Sequence, residues 1–171
     1  MNSIIKNIIR FFSLVLMQVL IVKHFNFGFL TDYISAIIYI SFLFTLPHSI
    51  SKYWVIILAF CLGLTVDVFS NTYGIHASAC VFTAFLRPRL VESFNTDSIY
   101  KVDELTIFTQ DRQKYIYYIF ILTFAFFLWL FFLEEFSFTK IPIILLKTIL
   151  STIISSFLII LGQLLLFKKP N

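Results

Sequence analysis

Asp67 and His76 are the acid and the histidine whose placement could support chemistry within apolar sequence. Asp67 lies near the end of one apolar run, and His76 opens the next. The tight polar hairpin Ser70-Asn71-Thr72 joins them, and Gly74 follows it. An acid and an imidazole held together there could move a proton or hold a cation. Two such groups make a poor relay, and they supply too few ligands for a metal site. A carboxylate in an apolar run costs about 2.5–3.5 kcal/mol at a bilayer centre and less near its edge, so something must offset it. The structural account is that Asp67 bonds His76 or the free N–H groups that open the following helix. The positive end of that helix's dipole lies there. This account outweighs the chemical one.

Other chemistry lacks its residues. No nucleophile–base pair, HExxH, P-loop or glycine-rich dinucleotide turn occurs, and no carboxylates cluster within an apolar run. The sequence therefore predicts a protein that is not an enzyme and needs no metal or cofactor. Cys61 and Cys80 both sit inside apolar runs and read as small packing residues. The pI of 9.1 raises the question of nucleic acid. The bases are scattered between apolar runs and form no patch, which excludes it.

The elements around these residues follow from composition. The chain has 171 residues, of which 60% are hydrophobic and 13% charged. A soluble domain is nearer half apolar and a quarter charged, and one of this size could not hide so much apolar surface. The expected class is an all-α polytopic membrane protein with about six transmembrane helices, forming a single integral membrane domain over 1–171. The apolar runs are Phe11–Val22, Tyr33–Leu46, Trp54–Phe69, Gly74–Leu86, Tyr115–Leu133 and Ile141–Phe167. The first is read as an uncleaved span. Lys23-His24-Phe25-Asn26 follows it where a signal peptide would have small residues. The second run is short for a span and ends at Pro47.

Lys and Arg placement sets the orientation. With six spans and the N-terminus inside, the inner side holds Lys6, Arg10, Lys52, Arg87, Arg89, Lys101, Arg112, Lys114, Lys168 and Lys169. The outer side holds Lys23, Lys140 and Lys147, so ten plus three accounts for all 13 bases. Both termini are therefore expected in the cytoplasm. Asp67, His76 and the acidic pair Glu134-Glu135 are expected at the outer face. The long loop over about 87–114 is then cytoplasmic, with Arg87 and Arg89 flanking Pro88 as an interfacial stop. Its five acids (Glu92, Asp97, Asp103, Glu104 and Asp111) balance its five bases. It reads as a solvated connector or as a docking surface for a cytoplasmic partner.

Small residues mark the helix contacts. Ala59, Gly63 and Asp67 recur at every fourth position, and Ala77, Cys80 and Ala84 share a face of the next run. Such faces let helix backbones approach closely in lipid, so the two are expected to meet. The last run carries Thr148, Ser151, Thr152, Ser155, Gly162 and Gln163, a face for internal packing or for a partner helix. Gln18 is expected to bond a neighbouring helix. In the fifth run Phe120, Phe124, Phe126, Phe127, Trp129, Phe131 and Phe132 surround the axis, which suits lipid contact.

These residues carry a resemblance. Gln18-Val19-Leu20, Leu46-Pro47, the stretch Ala59–Phe69, Gly74-Ile75-His76-Ala77 and Ala84-Phe85-Leu86-Arg87-Pro88 resemble the MreD family of bacterial rod shape-determining proteins, in its Bacteroidetes-type form. Residues 57–88 carry the specific part. The resemblance implies a non-enzymatic inner-membrane component of the elongasome, the machinery of lateral peptidoglycan synthesis. It implies a bitopic MreC-like partner, and joint work with the actin-like MreB, a SEDS glycosyltransferase and a class B penicillin-binding protein. The family's fold is also similar to the substrate-binding S-components of energy-coupling-factor vitamin transporters. A small-molecule-binding transporter component is therefore the alternative function.

Overall fold

The computed structural model of the chain describes residues 3–20, 33–47, 49–92, 105–106, 108 and 111–166. Of these, 83% are helical and none lies in a strand, so the class is all-α. The helices are α1 (Ser3–Leu20), α2 (Ser41–Thr45), α3 (Lys52–Ser70), α4 (Ile75–Glu92), α5 (Arg112–Glu135) and α6 (Ile141–Leu166). A 3-10 turn, Phe138–Lys140, leads into α6. Among the described residues, three stretches are long and apolar enough to cross a membrane: Lys52–Ser70, Arg112–Glu135 and Phe138–Leu165. The all-helical class and these three stretches are compatible with a helical membrane protein. Lys23, His24, Asp97, Lys101, Asp103, Glu104, Lys168 and Lys169 lie outside the described residues, and so does the side chain of Lys6.

Local chemistry sets the helix ends. Asp111 caps α5 by accepting a hydrogen bond from the Gln113 N–H at 3.3 Å. Pro142 sits in the first turn of α6, where its missing N–H costs nothing. α3 and α5 each end in a residue with left-handed backbone, Asn71 and Phe136. Neighbouring helices pack as α1 on α3, α3 on α4, α4 on α5 and α5 on α6. α4 and α5 run antiparallel. Trp129 near the end of α5 bonds Ser78 near the start of α4, and Arg87 near the end of α4 bonds Tyr118 near the start of α5.

The second apolar run differs from expectation. Residues 34–38 are not helical, 39–40 form a turn, and only Ser41–Thr45 make one short helix. This segment, the strap with α2, fills the middle of the bundle. Tyr39, Ile40, Phe42, Leu43, Phe44 and Leu46 are fully buried. Ring contacts fix them: Phe42 on Phe11 at 5.5 Å, Phe44 on Tyr118 at 5.8 Å and Tyr39 on Phe126 at 6.2 Å. Pro47 explains where α2 stops. It forces Leu46 out of the helical region, to ψ 139°.

Two further expectations are corrected. α4 does not stop at Arg87 but runs through Pro88 to Glu92, so the connection to α5 is shorter than 87–114. Arg87 is no interfacial anchor, because it is buried and points its bonds inward. α5 is not surrounded by lipid-facing rings. Phe126, Phe127 and Phe131 are buried where α5 packs between α4 and α6, while Phe120 remains exposed. Aromatic rings carry large apolar area, and here one face of them goes to the core.

Candidate functional site

Three groups of polar side chains lie inside the bundle. The first forms around Asp67, which is only 3% exposed. Its Oδ1 accepts from the Thr72 hydroxyl and from the His76 N–H at 3.1 Å, and its Oδ2 accepts from the Ala77 N–H at 2.8 Å. The carboxylate thus caps the first turn of α4 from a neighbouring helix. It meets orphan donors at the positive end of that helix's dipole. The Asp67 carbonyl also accepts from the Thr72 N–H at 3.1 Å and from the Asn71 N–H, which closes the turn. Gly74 holds φ at +86°, a backbone that side chains disfavour.

Close helix approach makes this cap possible. A Cβ on Gly63 would stand 2.4 Å from the Ala77 Cα and 2.6 Å from the His76 carbonyl oxygen. Ala59, Cys80 and Ala84 lie buried in the same packed region. The His76 ring does not meet the Asp67 carboxylate. Its Nδ1 pairs with the Tyr39 hydroxyl at 2.9 Å, tying α4 to the strap.

The second group clasps the strap. Gln18 of α1 bonds it twice: its Nε2 donates to the Ala36 carbonyl at 3.0 Å, and its Oε1 accepts from the Ile38 N–H at 2.9 Å. From α6, the Ser151 hydroxyl accepts from the Ser35 N–H at 3.0 Å, and the Ser155 hydroxyl accepts from the Ile37 N–H at 2.9 Å. The strap has no ladder or helix of its own to satisfy these groups. Non-helical backbone at membrane depth is tolerated only where protein buries and satisfies it. The face of α6 considered for a partner helix is therefore occupied by this chain's own backbone. Gln18 likewise bonds the strap and not a helix.

The third group surrounds the end of α2. The Arg87 guanidinium donates to the Leu46 carbonyl and, through Nε, to the Tyr118 hydroxyl at 3.1 Å. Tyr118 donates to the Phe44 carbonyl at 3.4 Å, and Arg10 reaches the Thr45 hydroxyl at 3.3 Å. A cation suits the carbonyl end of a helix. Tyr115 donates to the Leu105 carbonyl at 2.9 Å, and Gln163 donates to the Tyr115 hydroxyl at 3.0 Å. Among the described residues, four buried polar atoms have no partner: Thr123 Oγ1, Thr152 Oγ1, Ser156 Oγ and Gln163 Oε1. Among the described residues no three His, Cys, Asp or Glu side chains gather as a metal site would need.

Sequence reasoning missed Tyr39, Thr72 and the inward role of Arg87. Each left a signal: a tyrosine in the middle of an apolar run, a hydroxyl five residues after a lone acid, and an arginine before a proline. Both cysteines are expected as packing residues; Cys80 is buried, whereas Cys61 is exposed. Comparison with protein-family models, with curated proteins and with solved structures returned no match.

Proposed function

We propose that this chain is a non-enzymatic, multi-pass scaffold of the bacterial cytoplasmic membrane, of the MreD kind, acting in cell elongation beside a bitopic MreC-like partner. MreB, a SEDS glycosyltransferase and a class B penicillin-binding protein complete the assembly in this reading. The chain then crosses the bilayer six times, with the strap and α2 as the second crossing. The observation that carries the reading is where the interior polar side chains go. Gln18, Asp67, Arg87, Ser151 and Ser155 all bond backbone groups of this same chain. Such use builds a fixed shape for partners to recognise.

Charge supports the orientation. Arg10, Lys52, Arg87, Arg89, Arg112 and Lys114 gather at the end where α3 and α5 begin, whereas Lys140 and Lys147 sit beside Glu135 at the other. The base-rich end belongs in the cytoplasm. Reporter fusions after Glu104 and after Asn171 should both report cytoplasm, and a periplasmic signal from either removes the six-span topology.

The functional test is affinity capture of the full chain from native membranes, with identification of bound proteins, alongside depletion in the cell. A co-purifying bitopic partner and rounded cells are expected. Unchanged shape on depletion, with no bitopic protein bound, removes the scaffold reading.

One observation favours the second reading, a small-molecule-binding component like those of energy-coupling-factor transporters. The unpartnered hydroxyls of Thr123, Thr152 and Ser156 and the free Gln163 oxygen are buried donors and acceptors without protein partners. A broken segment such as the strap is also how transporters expose backbone to a ligand. Replacing Thr152 with Val and Ser156 with Ala would then abolish transport while leaving the fold intact.

A further inference from the structure

The two ends of the bundle treat their bases differently. At the Asp67 end, Lys140 and Lys147 both pair with Glu135, at 2.7 and 2.9 Å. At the opposite end, Lys52 of α3, Arg89 of α4, and Arg112 and Lys114 of α5 are all exposed. None of these four has a carboxylate within ion-pair distance among the described residues, although Glu92 and Asp111 lie at the same end. They come from three helices packed side by side. Among the described residues, then, these four positive charges on one rim have no counter-charge.

Their surroundings show what kind of counter-charge fits. Tyr53, Trp54 and Tyr117 are more than three-fifths exposed beside them. Tyrosine and tryptophan so placed mark the headgroup level of a bilayer. Each base of α5 stands above an exposed apolar row on its own helix face: Arg112 above Ile116 and Phe120, Lys114 above Tyr117 and Ile121. Arg89 lies over the exposed Phe85 ring at 4.7 Å, and Lys52 over Tyr53 at 5.5 Å. The stems thus follow apolar surface while the charges stop at its edge. An acidic protein segment would meet the charges but not the apolar rows below them.

We propose that this rim binds anionic phospholipid headgroups, with the phosphate between bases of neighbouring helices and the acyl chains along the exposed rows of α5 and over the Phe85 ring of α4. The proposal rests on the membrane character of the helices and goes beyond the scaffold reading, because it holds whatever the partner is. The exposed bases add independently to such binding, each worth about a fivefold factor near a charged surface.

The test uses the full chain in neutral detergent, titrated with phosphatidylglycerol or phosphatidylcholine. Bound lipid is read by native mass spectrometry, and the melting temperature is followed in parallel. Phosphatidylglycerol should remain bound and raise the melting temperature, and phosphatidylcholine should do neither. The fourfold variant K52Q/R89Q/R112Q/K114Q should keep the lipid-free melting temperature and bind phosphatidylglycerol at least about tenfold more weakly. If that variant does not fold, K52Q/R89Q and R112Q/K114Q are read separately, and each should lose part of the preference. Equal retention of the two lipids, or a preference that survives these substitutions, overturns the proposal. So does binding of soluble poly-glutamate by a chain that ignores phosphatidylglycerol, which would assign the rim to an acidic protein segment.

Discussion

The two helical hairpins at the Asp67 end solve the same problem in opposite ways. The α3–α4 hairpin closes with polar groups directed at backbone. Asn71 takes the left-handed turn, Thr72 and Asp67 bond each other, and the carboxylate caps α4. The α5–α6 hairpin closes with a phenylalanine in the left-handed turn, at φ 38°, and with lysines reaching Glu135. Its rings, Phe136 and Phe138, stand about four-fifths exposed and touch Phe132 at 6.2 and 5.7 Å. The first hairpin is held by groups that have no alternative partner once buried. The second is held by contacts that water or lipid can replace. Stability should therefore concentrate in the first, and substitutions can test that ranking.

The largest effect belongs to Gly63→Leu. A Cβ there already meets the Ala77 backbone at 2.4 Å, and backbone cannot swing aside as a side chain does. Overpacking a filled core costs about 1–3 kcal/mol or more, and here it also pulls the Asp67 cap off α4. Little folded protein should survive extraction, as read by size-exclusion chromatography of a fluorescent fusion. A normal monodisperse peak would show that α3 and α4 separate without harm.

Asp67 comes next, with two substitutions read together. Asp67→Leu strands the Thr72 hydroxyl and the N–H groups of His76 and Ala77, at roughly 1–3 kcal/mol for each group left buried and unpaired. Membrane levels should fall sharply. Asp67→Asn keeps one acceptor oxygen and most of the shape, so folding should largely survive. An Asn variant that reaches the membrane at full level yet loses all function in the cell would overturn the structural account. It would promote the transporter-like reading instead.

These residues show what the sequence discloses. The α3–α4 contact was legible because small residues at four-residue spacing, an acid at the run's end and a hairpin all point to the same close approach. The strap was not legible. Tyr33–Leu46 has the composition of a helix, and only its shortness and Pro47 hinted otherwise. What decides its backbone are Gln18, Ser151 and Ser155, up to 120 residues away in the chain. Their polar faces were visible, but nothing local says that the partner is non-helical backbone and not another helix. Arg87 was misplaced for a related reason. Arg-Pro-Arg reads as a stop, whereas the carbonyl end of α2 draws the guanidinium inside.

Ser155→Ala is a milder test on the strap. It leaves the Ile37 N–H without its acceptor at a buried position and removes almost no volume. The cost should be about 1–3 kcal/mol, smaller than for Asp67→Leu because one N–H is stranded and not three donors, and the other bond lost, from the Ser155 hydroxyl to the Ser35 carbonyl, is long at 3.4 Å. Melting in detergent measures it. An unchanged melting temperature would mean that the Ser155 bond does not hold the strap, which the bonds of Gln18 and Ser151 and the packing of Tyr39, Phe42 and Phe44 would then keep in place.

The smallest effect should be at Phe136, and its sign matters more than its size. A non-glycine residue in the left-handed region costs about 1–2 kcal/mol, which glycine avoids. Phe136→Gly removes that strain. It also removes a ring that is 77% exposed and touches only Phe132 among the described rings. Glycine adds freedom to the unfolded chain, which takes back part of the gain. The Phe136 N–H still bonds the Phe132 carbonyl at 2.9 Å, so the turn itself needs no side chain. Melting in detergent should therefore stay level or rise slightly. A clear fall would break the comparison. It would mean that the exposed rings hold the α5–α6 hairpin as firmly as buried polar groups hold the other, and the ranking of the two hairpins would be lost.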